Sequence, residues 1–387
     1  MNGFASAQRV FRIVPLVLGF ATIATAQPTA DLPGLQDRLA TLFKENQPAM
    51  VRVKAIYPPQ DDDDVPQVVI GSGFFISREG LILTNASIVY EPLRVWIEHD
   101  DIAYSAEVLG FDERANVAFL RTHTLPENFS FLHLADSAAL PRVGTFVLRL
   151  SMPLEFSASP SFGIVAGYES RFGERFFPCT YVRTSIPAGP GDGGAAFFDL
   201  SGRLLGVQVG SLPEIGASYI LPARAALRIR DDVLFSGTVT YGWIGFEVEL
   251  KSSIDNGRQL VLSEVFPESP AEAAGLLEED VLLRIGDYPI HVLDDLRNAM
   301  FYTRVGQYVE VEVLRGDQNR RFSVRIGARP ENEPMQTIEP AEPAPPIEPL
   351  KKKEPSSDED GDAPYLEELQ GTSKDGGESV QPSGPGS

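Results

Sequence analysis

The run Gly71-Ser72-Gly73-Phe74-Phe75-Ile76-Ser77, continued by Gly80-Leu81-Ile82-Leu83-Thr84-Asn85, decides how the rest of the chain reads. It spans two short apolar runs, Val68–Ile76 and Leu81–Thr84, separated by Ser77, Arg78, Glu79 and Gly80. Short apolar runs bounded by turn residues predict strands. Working outward, Met50–Tyr57 precedes them, and Arg94–Glu98, Ala106–Gly110 and Val117–Arg121 follow. A second group comprises Thr145–Leu150, Gly163–Gly167, Thr180–Arg183, Ala195–Phe198, Leu204–Val209 and Ala217–Leu221. About twelve short strands at this spacing predict an all-β barrel or sandwich, here two barrels of about six strands each.

The flanks have other characters. Arg9 and Arg12 form a basic start, Ile13–Ala26 is apolar but short for a span, and Ala24-Thr25-Ala26 is a small-x-small cleavage site. This predicts a signal peptide over 1–26 and an exported chain; an uncleaved anchor or a buried helix is the alternative. No second long apolar run follows, so the mature form is expected to have no membrane span. Leu35, Leu39, Leu42 and Phe43 recur at helical spacing and predict an amphipathic helix. The run Asp61–Asp64, flanked by Pro58, Pro59 and Pro66, reads as a solvated loop.

Near Gly237 the chain enters a smaller unit, 237–329. Strands are predicted at Ile244–Leu250, Leu260–Phe266, Val281–Ile285, Glu310–Arg315 and Arg321–Ile326. Helices are predicted at Ser269–Gly275, with Pro270 near its start, and at Leu293–Tyr302, making a small α+β module. The tail 330–387 lacks apolar periodicity and carries 14 acidic against 4 basic side chains. Such a composition predicts disorder, because too little apolar surface is available to offset ordering entropy. Its one apolar island is Tyr365-Leu366-Glu367-Glu368-Leu369, a candidate docking motif.

Bulk numbers exclude some functions. The 387 residues carry a formal charge of -21, which disfavours nucleic acid and anionic membrane as partners. Cys179 is the only cysteine, so no intramolecular disulfide forms. It reads as a small buried apolar residue, with an intermolecular bridge or a reactive thiol as alternatives. No His/Cys/Asp spacing points to a metal, and nothing calls for a cofactor.

Three stretches read together resemble the HtrA/Do family of trypsin-like serine proteases. They are Gly71–Asn85 with the following Ala86-Ser87-Ile88-Val89, Asp112–Leu120, and Gly189-Pro190-Gly191-Asp192-Gly193-Gly194-Ala195. The resemblance runs from about Leu35 to Arg329 and implies a trypsin-like domain over 27–236 followed by a PDZ domain over 237–329. It places Ser87 where the family has its catalytic histidine, Asn116 where it has the orienting aspartate, and Asp192 where it has the nucleophilic serine. Serine proteolysis needs a hydroxyl nucleophile, a base to take its proton and a carboxylate to hold that base. Ser87, Asn116 and Asp192 supply none of these in place. Pro190 stands, beside Gly191, where the family uses a backbone N–H in the oxyanion hole, and proline has no N–H. His99, His123, His133 and His291 lie outside the family's local context. The reading is therefore that no catalytic residue remains, with Asp192 expected to accept hydrogen bonds from Ser87 and Asn116.

In the smaller module, Tyr241-Gly242-Trp243-Ile244-Gly245-Phe246 resembles the carboxylate-binding loop of a PDZ domain. The resemblance implies peptide binding at Trp243, Ile244, Gly245 and Phe246. Asp295–Met300 resembles the groove-flanking helix, with one of Leu296 and Met300 facing the peptide. The expected function is an exported, periplasmic or secreted pseudoprotease. It would bind extended or C-terminal peptides, or unfolded segments of envelope proteins, as chaperone, scaffold or regulator. A homotrimer is expected by analogy with the family. An HtrA-like endopeptidase with a noncanonical site and an assembly protein with an unused groove are the alternatives.

Overall fold

The computed structural model describes residues 32–59, 65–137, 139–172, 175–253 and 257–329. The predicted signal segment 1–26, the Asp61–Asp64 run and the tail 330–387 with its Tyr365–Leu369 island lie outside the described residues. All described residues fall in one compact unit.

Helix α1 (Leu32–Asn46) comes first. It is the predicted amphipathic helix: Leu42 is buried, Leu39 and Phe43 pack beside it, and Arg38 Nε donates to Leu200 O at 2.7 Å. Strands β1 (Met50–Tyr57), β2 (Gln67–Phe75), β3 (Leu81–Thr84), β4 (Arg94–His99), β5 (Ile102–Asp112) and β6 (Val117–Thr122) close a barrel in the order β1-β2-β3-β6-β5-β4. Strands β7 (Phe146–Ser151), β8 (Ser159–Phe172), β9 (Arg175–Thr184), β10 (Ala196–Asp199), β11 (Leu204–Leu212) and β12 (Ala217–Pro222) close a second, in the order β10-β11-β12-β9-β8-β7. Closure pairs the strand edges that an open sheet would leave exposed.

Alternation along the strands builds the cores. Val51, Val53 and Ala55 of β1 face the first barrel's interior with Phe75, Ile82 and Ile97. Val147, Val165, Val182, Phe197 and Ile220 fill the second. A third cluster lies between the barrels, where Phe74, Leu83 and Phe119 meet Leu148, Leu150 and Phe198. Several strands exceed their predicted length, among them β5, β8, β9 and β11. Bulges at Val108/Gly110 in β5, at Val165/Gly167 and Glu169/Arg171 in β8 and at Gln208/Gly210 in β11 break the two-residue period, and so hide the continuation of those three strands in the sequence. Helix α2 (Ala223–Ser236) was not predicted at all. Its signal was present: Ala226, Ile229 and Val233 recur at helical spacing, and Gly237 caps it in the left-handed region with φ 76°.

The smaller module contains β13 (Gly242–Trp243), β14 (Phe246–Ser253), β15 (Gly257–Val265), α3 (Pro270–Ala274), β16 (Val281–Ile285), β17 (Tyr288–Pro289), α4 (Leu293–Tyr302), β18 (Tyr308–Arg315), β19 (Gln318–Arg325) and β20 (Gly327–Ala328). Its main sheet runs β14-β15-β16-β18-β19, and β13 pairs with β20. The module has its own core, including Leu262, Leu282, Val311 and Val324. Both predicted helices are present. Ser269 caps α3 by accepting from the Glu272 N–H at 3.1 Å. Asp295 Oδ2 holds the start of α4 by accepting from His291 N at 2.9 Å and Val292 N at 3.1 Å.

Helix α4 also joins the module to the barrels. Phe301 is buried in the inter-barrel cluster rather than in the module's own core. The buried Arg228 of α2 lies over the Phe301 ring at 4.9 Å. Asn298 makes two bonds to β9: Thr180 N donates to its Oδ1 and its Nδ2 donates to Thr180 Oγ1, both at 2.8 Å. Arg297 stacks on Phe176 at 4.0 Å.

Candidate functional site

The turn after β9 has the sequence Gly189-Pro190-Gly191-Asp192. Proline at the second position and a glycine with φ 86° at the third are the signature of a type II turn. The turn closes on itself, because the Asp192 N–H donates to Gly189 O at 3.2 Å. Asp192 Oδ2 reinforces it by accepting from Gly189 N at 2.8 Å. A side chain on Gly191 would place its Cβ 2.3 Å from the Leu154 backbone nitrogen, so glycine is required there for space as well as for φ.

Ser72, from the run that opened the sequence reading, locks this turn against the first barrel. Its Oγ donates to Gly191 O and accepts from Met152 N, each at 2.8 Å, and its N–H donates to Gly193 O at 2.8 Å. The 152–156 segment is held in turn by β1. Arg52 Nη2 donates to Phe156 O at 2.6 Å. Lys54 bridges Glu155 and Glu98, each at 2.8 Å, and Arg52 reaches Glu98 at 2.8 Å. Burial pushes the Glu98 carboxyl up, but hydrogen bonds from Lys54 and Arg52 outweigh it, and the net direction is down.

Of the three residues of interest, Ser87 and Asn116 are hydrogen-bonded to each other and Asp192 is bonded to neither. Asn116, at φ 54° in the β5–β6 turn, accepts from the Ser87 N–H at 2.9 Å through Oδ1 and donates to Val209 O at 2.8 Å through Nδ2. Ser87 is exposed. Asp192 is 4% exposed, and it faces Arg149 of β7, whose Nη2 lies 3.1 Å from Asp192 Oδ2. The expectation that Asp192 accepts from Ser87 and Asn116 is therefore corrected. A buried carboxylate needs a cation, and Arg149 is the one within reach. Arg149 also donates to Pro187 O at 2.7 Å and Ser161 Oγ at 3.0 Å. Burial pulls the Arg149 guanidinium below its ordinary value, and Asp192 opposes that. The sequence reading missed Arg149 and Ser72. A charged residue inside the apolar strand Phe146–Ser151 was the available signal for the first. Cys179 is buried, and burial pushes its thiol above the ordinary range.

The second candidate site lies at the head of β14. Gly245, at φ 90°, sits so close to Ser269 that a Cβ would come within 2.2 Å of the Ser269 Cβ. The carbonyls of Ile244 and Gly245 accept from Ala271 N at 2.8 Å and Phe266 N at 3.0 Å. Among the described residues the Ile244 and Gly245 amides make no hydrogen bond, which leaves two adjacent donors there. Trp243 stacks on Phe266, with ring centroids 6.1 Å apart. Strand β14 pairs only with β15, so its other edge is unpaired within the sheet. Phe246 and Val248 of β14, with Leu296 and Met300 of α4, are half-buried against one core. Both Leu296 and Met300 are partly accessible; Ala299 and Phe301 are the buried positions of the helix. Among the described residues no cluster of three or more His, Cys, Asp or Glu side chains is placed to hold a metal ion.

Residues 71–207 match the trypsin-like peptidase domain family, and residues 242–326 match the PDZ domain family. The class is thereby defined: a trypsin-like peptidase fold followed by a PDZ domain. Within that class its similarities are to proteins described as DegP-like and HtrA-type. It is 27% identical over 316 residues to a "Probable periplasmic serine endoprotease DegP-like" of Pseudomonas putida (strain W619), covering 78% of this chain and 64% of that one. It is 28% identical to a protein of the same description from Ectopseudomonas mendocina (strain ymp), covering 79% and 65%. The chain thus spans just under two thirds of the length of these relatives. Among solved structures, the HtrA-type protease AlgW with decapeptide superposes with a TM-score of 0.59 at 23% identity, over 76% of this chain and 99% of that one. The serine endoprotease from Yersinia pestis gives 0.54 at 20% identity, over 76% and 98%. No helix among the described residues is long and apolar enough to cross a membrane.

Proposed function

We propose that this chain is an exported, periplasmic pseudoprotease. Its PDZ groove binds extended or C-terminal peptide segments of envelope proteins, and its trypsin-like fold holds them without cleaving them. The observation that carries the reading is the closed turn at Gly189–Asp192. An oxyanion hole needs free N–H groups aimed at the developing charge. Pro190 has no N–H, and the Asp192 N–H is occupied by Gly189 O. Losing one such donor costs about 10²–10³ in rate. Asp192 is held by Arg149 in an ion pair, and neither Ser87 nor Asn116 can take a proton as a base near pH 7. The periplasmic location rests on the names of the relatives and on the signal segment read in the sequence. Assembly as a homotrimer belongs to the same proposal.

The second reading, an endopeptidase with a noncanonical site, is favoured by the relatives' description as endoproteases. One experiment separates the two. A fluorescent decapeptide with a free carboxylate is titrated with the mature chain, and its mass is read after overnight incubation. Saturable binding with an unchanged mass supports the proposal. Hydrolysis products that appear in step with enzyme concentration support the endopeptidase.

A further inference from the structure

Strand β14 has an edge that is unpaired within the sheet, and charged side chains lie along it. Strand β14 reads Phe246-Glu247-Val248-Glu249-Leu250-Lys251. Phe246 and Val248 are half-buried toward the core shared with α4, whereas Glu247 and Glu249 are exposed on the alternate positions. Glu247 stands directly opposite Glu264 of β15, which is exposed as well. Like charges directly opposite across a strand pair repel. Lys251 does not relieve that pair: its Nζ is taken by Glu249 at 3.0 Å and by Glu279 at 2.8 Å. Glu247 and Glu264 thus form an unbalanced acidic pair beside an edge that lacks its next strand.

A strand added to that edge places alternate side chains on alternate faces. With its carboxylate at the Ile244 and Gly245 amides, a peptide runs antiparallel to β14. Its last and third-last side chains then point toward Phe246, Val248, Leu296 and Met300. Its second-last and fourth-last side chains lie on the face of Glu247 and Glu249. A cation at the second-last position meets the Glu247/Glu264 pair, one at the fourth-last position faces Glu249, which shares Lys251 with Glu279, and a carboxylate at either adds a repulsion. We infer that the groove selects C-terminal peptides with an apolar last residue and Lys or Arg at the second-last and fourth-last positions, rejecting acidic ones. This inference rests on the peptide-binding reading of the same groove.

The test uses the full mature chain and four labelled decapeptides. All four end in the same apolar residue. Three carry Lys, Gln or Glu at both outward positions, and the fourth is the Lys peptide with an amidated C-terminus. The Lys peptide is expected to bind roughly tenfold more tightly than the Glu peptide. Because these charges are exposed, the ratio should shrink on raising salt from about 0.05 M to about 0.5 M. A Glu247→Gln/Glu249→Gln variant should bring the ratio close to one. If Lys, Gln and Glu peptides bind equally, and more tightly than the amide, the selectivity is refuted while the groove reading stands. If none of the four binds, the groove reading itself fails.

Discussion

At the residue scale, Asp192 is the informative side chain. It occupies the position where the HtrA family resemblance puts a nucleophile, yet its carboxylate is part of a buried ion pair with Arg149. Removing one partner of such a pair leaves an uncompensated charge. Asp192→Ala is therefore expected to lower stability by about 3 kcal/mol, read from urea denaturation. The lower end of that range applies because Arg149 keeps Pro187, Gln208 and Ser161 as acceptors. Asp192→Ser is expected to yield no hydrolysis, since no base stands beside it. Glu98 gives a pH dependence. Its folded pKa lies below its ordinary 4.5. The Lys54 and Arg52 contacts thus contribute stability that is fully present above that value and is lost as pH falls from 4.5 through the folded pKa. A melting series across that window should show the loss, and Glu98→Gln should flatten it. Residue identities at Ser87, Asn116, Asp192 and Pro190 were legible in the sequence. The partner of Asp192 was not, because Arg149 lies 43 positions away on β7, and only the pairing of β7 with β10 brings that strand beside the turn.

At the element scale, the Gly189–Asp192 turn and helix α4 do the positioning. The turn was readable from its Pro-Gly pair, but its locking by Ser72 required the register between the two barrels. Helix α4 was predicted over the residues it occupies. What the sequence could not say is that the helix has two clients. Leu296 and Met300 serve the module's core, while Asn298 and Phe301 serve the barrels. Periodicity shows that two faces of a helix are apolar, not which neighbour each one meets. Phe301→Ala is expected to cost about 3–5 kcal/mol. Asn298→Ala, which leaves the Thr180 N–H without its partner, is expected to cost about 1–3 kcal/mol. Both should loosen the attachment of the module, seen as faster proteolytic cutting near Thr238–Tyr241. If the cutting rate is unchanged in both variants, α4 is not the attachment.

At the scale of the whole molecule, two closed barrels followed by a PDZ module were legible because strand length, turn residues and motif order agreed with one another. The misses included α2, the two-residue strands β13, β17 and β20, and the reach of β5, β8 and β11, where bulges interrupt the alternation on which strand reading depends. Architecture and chemistry are separate questions here: the fold is that of a peptidase, while Asp192 pairs with Arg149 and Asn116 bonds the Ser87 N–H. The most direct test is degradation of unfolded casein by the chain from Gln27 to Ser387, beside an Asp192→Ala variant prepared identically. The account predicts that neither cuts above the blank. Cutting by the parent that disappears in the variant would contradict it, and would make Asp192 a catalytic residue.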